Sequence, residues 1–431
     1  MRILVLGAYG LVGSFVLSRL LADGHQVIGV GRDTAAALRR VPGAHWVQLD
    51  LQAATVEDWT RLLVGVGAVV NCAGALQDGG RDHLHAVHVR AVERLTRACA
   101  AVGVSRFVQI SAAGIDGGAA TGFARTKLAA EKVLEASGLD WIILRPALVL
   151  GPSAFGGTAL LRGLAGLPFV TPAVYPGSIV QVVSVHDVAL AVASAVRPDA
   201  PARLSVDLAH SEALSLESLL VELRRWLGLP QARVIATPIV IARAAARLAD
   251  GLAWLGWRSP MRTTSIEQLE AGVRADGAAA ERELGLRLAS LREMLDEWPC
   301  GVQERWFARA YFLKPASIAA LAAFWFFSGL IGLTIGLGQS VRLLTVAGVE
   351  PTTAKVAVIA GAGADLVVAG ALCFRRSASR ALQAALALSA AYAIGGAFLR
   401  PDLWLDPLGP LLKILPASLL AAWLLATLDE R

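Results

Sequence analysis

Residues 3–13 read Ile3-Leu4-Val5-Leu6-Gly7-Ala8-Tyr9-Gly10-Leu11-Val12-Gly13. An apolar run enters, without a gap, a turn with glycine at every third position. The amphipathic stretch Leu11–Leu21 then reads as the helix that the turn opens. Such a turn lets backbone N–H groups approach a pyrophosphate, and the positive end of the helix dipole faces it. A Gly-x-x-Gly-x-x-Gly alone is a weak signal. Placed between a strand and a helix at the start of a βαβ pattern, it points to a dinucleotide. An ordinary glycine turn is the plain alternative.

The pattern continues outward from there. Short apolar runs at Gln26–Val30, Trp46–Leu49, Ala68–Asn71, Arg106–Ile110 and Trp141–Leu144 alternate with helical stretches such as Leu84–Ala101 and Thr126–Ala136. This alternation predicts an α/β doubly wound parallel sheet of the Rossmann type over residues 1–150, with the ligand at the carboxyl ends of the strands. Residues 151–300 are less regular and read as the substrate part of the same domain. Within them Val182–Val196 reads as a strand-to-helix unit, and Leu214–Leu227 and the charged Ser265–Glu297 as helices. Ile239–Trp257 is apolar but carries Arg243, Arg247 and Asp250, which suits an interfacial or packing helix better than a span.

The chain has 431 residues, of which 55% are hydrophobic and 17% charged, with a net charge of +6. The mean hydropathy is +0.58, above that of an ordinary soluble enzyme. The excess lies in the last domain, residues 301–431, which from about Leu313 on is almost free of charge. Runs at Pro315–Leu337, Ala354–Phe374, Ala381–Leu399 and Leu411–Leu428 predict an all-α transmembrane four-helix bundle. Lys413 and Pro416 make the fourth run the weakest. Trp325, Trp404 and Trp423 suit membrane interfaces, and Gly329, Gly332 and Gly336 permit close helix approach. Asp365 interrupts the second run; it reads as a structural hydrogen bond inside the bundle, with Asp406 and Lys413 as partners in reach, and alternatively as a proton or transport site. The basic balance fits cytoplasmic flanks, and no basic cluster interleaved with aromatics points to nucleic acid. Cys72, Cys99, Cys300 and Cys373 are scattered, which argues for reduced packing residues and against a disulfide frame or metal site. The first strand leaves no room for a signal peptide, so insertion is expected from the tail.

Arg32 follows the second strand, where an acidic residue would favour NAD; an arginine pairs with a 2′-phosphate, so NADP is expected ahead of NAD. A solvated surface arginine is the alternative. Asp50, before Leu51, closes the third strand, where a carboxylate meets an adenine or caps the next helix. Asn71-Cys72-Ala73-Gly74 ends the fourth strand and Ser111 the fifth; Phe123-Ala124-Arg125-Thr126-Lys127, Glu131 and Arg145-Pro146 come after them.

This order of motifs, with Val185-His186-Asp187-Val188-Ala189, resembles the short-chain dehydrogenase/reductase superfamily in its extended and atypical branch, over about the first 300 residues. The tail resembles the DoxX-like four-helix membrane family, notably through Trp404-Leu405-Asp406-Pro407-Leu408-Gly409-Pro410. The resemblance implies cofactor binding by Gly7, Tyr9, Gly10, Leu11, Val12, Gly13, Arg32, Asp50, Leu51, Cys72, Ala73, Gly74, Ser111, Lys127 and Pro146, and catalysis by Ser111 and Lys127. One position departs from it. The family's general acid is a Tyr four residues before the Lys, and here that residue is Phe123, which cannot donate a proton. Lys127 keeps a role toward the nicotinamide ribose, or acts as acid or base itself if burial lowers its pKa; a solvated helix lysine paired with Glu131 is the plain alternative.

Two readings stay open. One is a membrane-tethered NADP-dependent oxidoreductase acting on a quinone or another lipid-soluble substrate. The other is a catalytically inert nucleotide-binding module, structural or redox-sensing, beside a membrane partner subunit. Both imply a multi-pass protein of the cell inner membrane with the Rossmann domain cytoplasmic. Arg305, Arg309 and Lys314 before the first span, and Arg375, Arg376 and Arg380 in the second loop, set that orientation. Reporter fusions at Arg380 and Arg431 are expected to give cytoplasmic signals; a periplasmic signal at Arg431 would mean three crossings, and one at Arg380 would reverse the topology.

Overall fold

The computed structural model describes residues 1–79, 82–116, 121–257, 259–407 and 409–428; Leu408 of the tail motif and the proposed fusion point Arg431 lie outside them. The chain forms two compact units, one of residues Met1–Asp250 and Ser259–Ala308, the other of Gly251–Arg258 and Arg309–Arg431.

The first unit is built on a parallel sheet of seven strands: β1 (Arg2–Leu6), β2 (Gln26–Gly31), β3 (His45–Gln48), β4 (Ala68–Asn71), β5 (Arg106–Ile110), β6 (Asp140–Pro146) and β7 (Leu204–Leu208). Their spatial order is β7-β6-β5-β4-β1-β2-β3, every neighbouring pair being parallel. The order reverses between β1 and β4. That switch point opens a crevice at the strand ends, where a ligand sits in folds of this type.

Side-chain alternation explains the unbroken apolar runs. In β1, Ile3 and Val5 face a core shared with Val16, Leu17, Leu20 and the helix Val185–Ala195. Leu4 and Leu6 face the opposite core, with Trp59, Leu95, Phe107 and Leu134. A strand buried on both faces has no reason to alternate polar and apolar residues. The helices that cover the site are α1 (Leu11–Ala22), α2 (Ala91–Val102) and α3 (Gly122–Glu135). A wide π-type turn, Ala86–Arg90, precedes α2 directly.

The expected long helix over Ser265–Glu297 is instead three short ones, Thr263–Ala271, Ala279–Leu284 and Leu291–Glu297. Glycines at positive φ, Gly272 at 76° and Gly285 at 64°, stop the first two. Between them Val273 bridges to Val180.

In the second unit, α4 (Leu313–Leu333), α5 (Pro351–Leu372) and α6 (Ala378–Leu399) are each long and apolar enough to cross a membrane. Two features differ from the sequence reading. The first run stops at Thr334, and Leu337–Val346 forms a separate helix. The fourth run forms a helix of only 14 residues, Ile414–Thr427, because residues 409–413 are spent in turns. Trp325 lies not at an interface but in the bundle core, beside Leu321, Val368 and Leu382. Gly329 and Gly332 do permit close approach: a Cβ at Gly329 would fall 2.6 Å from the Ala362 carbonyl oxygen. At Gly336 the nearest atoms to an added Cβ belong to Ile331 of its own turn. Asp365 on α5 accepts hydrogen bonds from Ser328 Oγ of α4 at 2.6 Å and Tyr392 Oη of α6 at 2.8 Å. One buried carboxylate thus joins three helices. Leaving it unpartnered in an apolar bundle costs about 1–3 kcal/mol or more, so replacing both Ser328 and Tyr392 by Ala and Phe is expected to lower the thermal midpoint of the detergent-solubilised bundle. Adding Asp365→Leu to that double variant is expected to restore much of the loss.

Candidate functional site

The site forms where the β1 and β4 ends meet. Gly7 adopts φ +66°, and a Cβ there would stand 2.8 Å from Ala73 Cα. A Cβ on Gly13 would fall 2.2 Å from the Gly7 carbonyl oxygen. Neither overlap can be relieved by rotating a side chain, so both positions require glycine. Gly10 N–H donates to Gly7 O at 2.9 Å, closing the turn. Gly10 is also the N-cap of α1; it supplies no side-chain cap, and no acidic residue lies in the first turn. The first-turn N–H groups of Leu11, Val12 and Gly13 are therefore left for an external anion.

Beside the turn, the Tyr9 ring packs across the end of β2, where a Cβ on Gly31 would fall 2.0 Å from it. Tyr9 Oη accepts the Arg32 N–H at 3.3 Å. The Arg32 guanidinium is half exposed and pairs with Asp82 at 2.8 Å, a partner that local sequence did not suggest. Asp50 Oδ1 accepts the Gln52 N–H at 3.0 Å, so its carboxylate closes a local turn. Leu51 packs with Val47 and Leu49 onto the core.

At the β4 end, Asn71 is buried; it donates to Gln109 Oε1 at 3.0 Å and accepts the Ala73 N–H at 3.1 Å. This clamp shapes the Cys72-Ala73-Gly74 loop. Burial pushes the Cys72 thiol up to about 12, so it is a packing residue and not a nucleophile. Ser111 follows β5 with its Oγ buried and without a hydrogen-bond partner among the described residues. Such an orphaned hydroxyl next to the crevice fits a ligand group. Pro146 ends β6 buried, its carbonyl accepting the Ala113 N–H at 3.0 Å.

Lys127 is buried and donates from Nζ to the Ile110 carbonyl at 2.9 Å. Its pairing with Glu131, open on sequence grounds, is not what the helix does. Glu131 instead holds Arg145 through two bonds, at 3.0 and 2.6 Å. Desolvation lowers the Lys127 pKa to about 8. A Cβ on Gly74 would lie 3.3 Å from Lys127 Nζ and 3.4 Å from His88 Nε2, so these groups converge.

Sequence reasoning missed His88. It sits on the π-type turn, accepts the Ala75 N–H at Nε2 (3.1 Å) and meets Thr126 Oγ1 through Nδ1 at 2.8 Å. That pattern puts the ring proton on Nδ1. Desolvation, then the neighbouring Lys127 charge, lowers its pKa to about 3. Its ring meets Phe123 edge-on at 5.8 Å. A lone histidine within Ala86-Val87-His88-Val89 was the available signal. Further along the same loop, Gln77 donates to Asp250 at 3.3 Å, which also binds Arg262 and Thr263.

The Lys127 shift has a stability consequence. Below pH 8 the folded protein holds a buried charge at a cost of about 3 kcal/mol. Between about 8 and the ordinary lysine value of 10.5 the unfolded chain binds the proton and the folded one does not, so stability rises with pH. Lys127→Met is expected to stabilise the first unit most below pH 8, the advantage closing as pH approaches 10.5. Thermal melts of both proteins across that range check the sign.

Comparison with known proteins agrees with this fold. Residues 7–197 match the model of an NAD(P)H-binding family, and residues 322–422 that of a DoxX-like family. An uncharacterized protein of Mycobacterium tuberculosis is 30% identical over 190 residues, 43% of this chain. The chain spans only 19% of the length of that relative. Among solved structures, a UDP-glucose 4-epimerase from Thermotoga maritima superposes with a TM-score of 0.54 at 19% identity, covering 69% of this chain and 97% of its own. The MoeE5 protein in complex with UDP-glucose and NAD gives 0.54 at 21%, covering 72% and 100%. WbmG of Bordetella bronchiseptica in complex with NAD gives 0.52 at 18%, covering 69% and 92%. At these identities the likeness speaks for the fold. The chain therefore carries an NAD(P)H-binding region of Rossmann fold over residues 7–197, and a DoxX-like region over residues 322–422 that contains membrane-capable helices.

Proposed function

We propose that the protein is a membrane-anchored, NADP(H)-dependent oxidoreductase whose substrate is lipid-soluble, with a quinone as the favoured class. The observation that carries this is the composition of the crevice. Lys127 is buried with its pKa lowered to about 8, Ser111 offers a hydroxyl without a partner among the described residues, and Phe123 stands where a proton donor is needed for ketones. When bound, the dinucleotide supplies a hydride. The α1 N-terminus holds its pyrophosphate, Tyr9 walls the adenosine side, and Arg32 takes the 2′-phosphate. Ser111 orients the substrate oxygen. Lys127 holds the nicotinamide end and, in its charged form, donates a proton toward that oxygen. A quinone that takes the hydride becomes a hydroquinone anion, stabilised by its ring, and needs one proton, from this lysine or from water, so it tolerates Phe123 better than a ketone does. Residues 151–300 complete the substrate side, and residues 301–431 keep the domain at the bilayer of the inner membrane, on its cytoplasmic face.

The runner-up is an inert nucleotide-binding subunit. The packing of Phe123 against a neutral His88 favours it, because neither ring can protonate an oxygen. Stopped-flow oxidation of NADPH by a panel of quinones in detergent separates the two. Turnover that falls about 100-fold in Lys127→Met supports the oxidoreductase; tight NADPH binding with no turnover on any quinone supports the inert subunit.

Cofactor choice has its own test. Losing a charge-assisted phosphate contact costs about 1.5–3 kcal/mol, so Arg32→Ala is expected to weaken NADPH binding by roughly ten- to a hundredfold and leave NADH nearly unchanged. Asp82 competes with the phosphate for the same guanidinium, so Asp82→Asn is expected to tighten NADPH. An unchanged preference in Arg32→Ala would end the assignment.

Simple ketones and aldehydes are expected to be poor substrates of the unmodified protein. Phe123→Tyr restores the missing donor beside Ser111 and Lys127 and is expected to raise ketone reduction; robust turnover without that change would mean that the acid lies elsewhere.

A further inference from the structure

The helix Ile239–Trp254 has a face that its own unit does not cover. Ala242, Ala246 and Ala249 are buried, the first two packing with Ile266, Val174 and Tyr175. On the other side, Val240, Ile241 and Leu248 are 76%, 61% and 66% exposed. Leu252 and Trp254 are exposed as well. Ile241, Ala244 and Leu248 recur at spacings of three and four, which makes one stripe along the helix. Arg243 and Arg247, both exposed, run along the border of that stripe with Trp254. Arg243 also stands 3.7 Å from Glu270, a loose pair in which both side chains stay half exposed. A long cation beside an apolar stripe, with an indole at its edge, suits a headgroup layer.

What covers the stripe is indicated by the helix end. Residues Gly251–Arg258 belong to the second unit. There the Arg375 N–H donates to the Leu255 carbonyl at 3.0 Å. Trp257 Nε1 donates to the Cys373 carbonyl at 2.7 Å. The Arg375 guanidinium stands 5.9 Å from the Trp257 ring centroid. Within the second unit, the segment that continues this helix therefore packs on the short turn joining α5 and α6, two membrane-capable helices. Arg375 and Arg376 lie in that turn and Arg380 in the first turn of α6, basic residues close together in sequence that favour anionic lipid.

We propose that Ile239–Trp254 is an in-plane membrane helix, its Ile241–Leu248–Leu252 stripe seated in the acyl boundary and Arg243 and Arg247 bound to anionic headgroups. The proposal concerns lipid contact alone and stands independently of the enzymatic reading.

The test uses the full chain in nanodiscs of phosphatidylcholine with or without phosphatidylglycerol. Cysteines are introduced singly at Ile241, Leu248 and, as a control on another helix, Val221, in a background with the native cysteines replaced, and each is labelled with an environment-sensitive fluorophore. Labels at 241 and 248 are expected to be quenched by acyl-chain nitroxide lipids and shielded from iodide, with the reverse at 221. Quenching is expected to fall at least twofold without phosphatidylglycerol, and the Arg243→Glu/Arg247→Glu variant is expected to lose that dependence. Iodide quenching at 241 and 248 would overturn the proposal. Shielding from both quenchers would also overturn it, in favour of a protein partner or a second copy. If the cysteine-replaced background fails to fold, brominated lipid serves with the native cysteines in place: Trp254→Phe is expected to remove a quenchable part of the tryptophan emission, and no change would count against the proposal.

Discussion

The close approach of Gly7 to Ala73 is the constraint on which the site depends. The turn after β1 and the loop after β4 touch backbone to backbone, with no room for a Cβ between them. This contact exists because β1 and β4 are neighbours in the sheet although far apart in sequence. It brings the α1 N-terminus, the Asn71–Gly74 loop and the Ser111 strand end around one crevice. A side chain at Gly7 would also have to adopt a left-handed backbone, so strain and overlap act together. The dinucleotide reading rests on this geometry more than on the glycine spacing itself.

Around that crevice the polar groups are sorted by what holds them. Asn71 is spent on Gln109 and Ala73, Glu131 on Arg145, and His88 on Ala75 and Thr126. Among the described residues, two groups are left with chemistry to offer. Ser111 Oγ has no protein partner among the described residues. Lys127 has one carbonyl partner for an ammonium with three donors. Burying an amine this incompletely partnered is costly, and a folded chain retains such a cost most readily where a ligand is to complete the shell. With phenylalanine at position 123, this pair supplies the side-chain chemistry that the strand ends offer among the described residues.

Much of the fold was legible in the sequence because it rests on period and on glycine. β4 and β5 occupy the residues expected of them, and β1, β2, β3 and β6 differ at their ends by one or two residues. A buried parallel strand announces itself as an unbroken apolar run, and the turn after β1 cannot be built without Gly7 and Gly13. The misses share a different cause. Gly272 and Gly285 end helices inside a stretch whose charge pattern looks continuous. The tail helix ends depend on turns at 334–336 and 409–413 that hydropathy does not register. Residue type alone puts Trp325 at an interface, but packing against α5 and α6 buries it. At the candidate site, the place of Arg32 after β2 was legible and its partner Asp82 was not, because Asp82 lies on the loop after β4 and meets Arg32 only in the folded chain. His88 was invisible for the same reason: its partners Ala75 and Thr126 come from a loop and from α3.

The two units solve the burial of apolar surface in different ways. In the first, strands with two apolar faces are sealed by helices, and a large stripe on Ile239–Trp254 is left uncovered. In the second, the helices meet through small residues and a buried carboxylate, and Phe326, Phe327, Val367, Phe398 and Leu419 point outward. Packing of that kind gains less from burial in water than a soluble core does, since beside a small core around Trp325 many large side chains are left outside. It is the pattern expected when lipid, not protein, covers the periphery, because helices in a bilayer gain from close backbone approach and buried hydrogen bonds and lose nothing by exposing leucine and phenylalanine. The Asp365–Ser328–Tyr392 group then has a plain physical place: in a medium that offers no water, the carboxylate is stable only where two hydroxyls reach it, and those hydroxyls come from the helices it must hold.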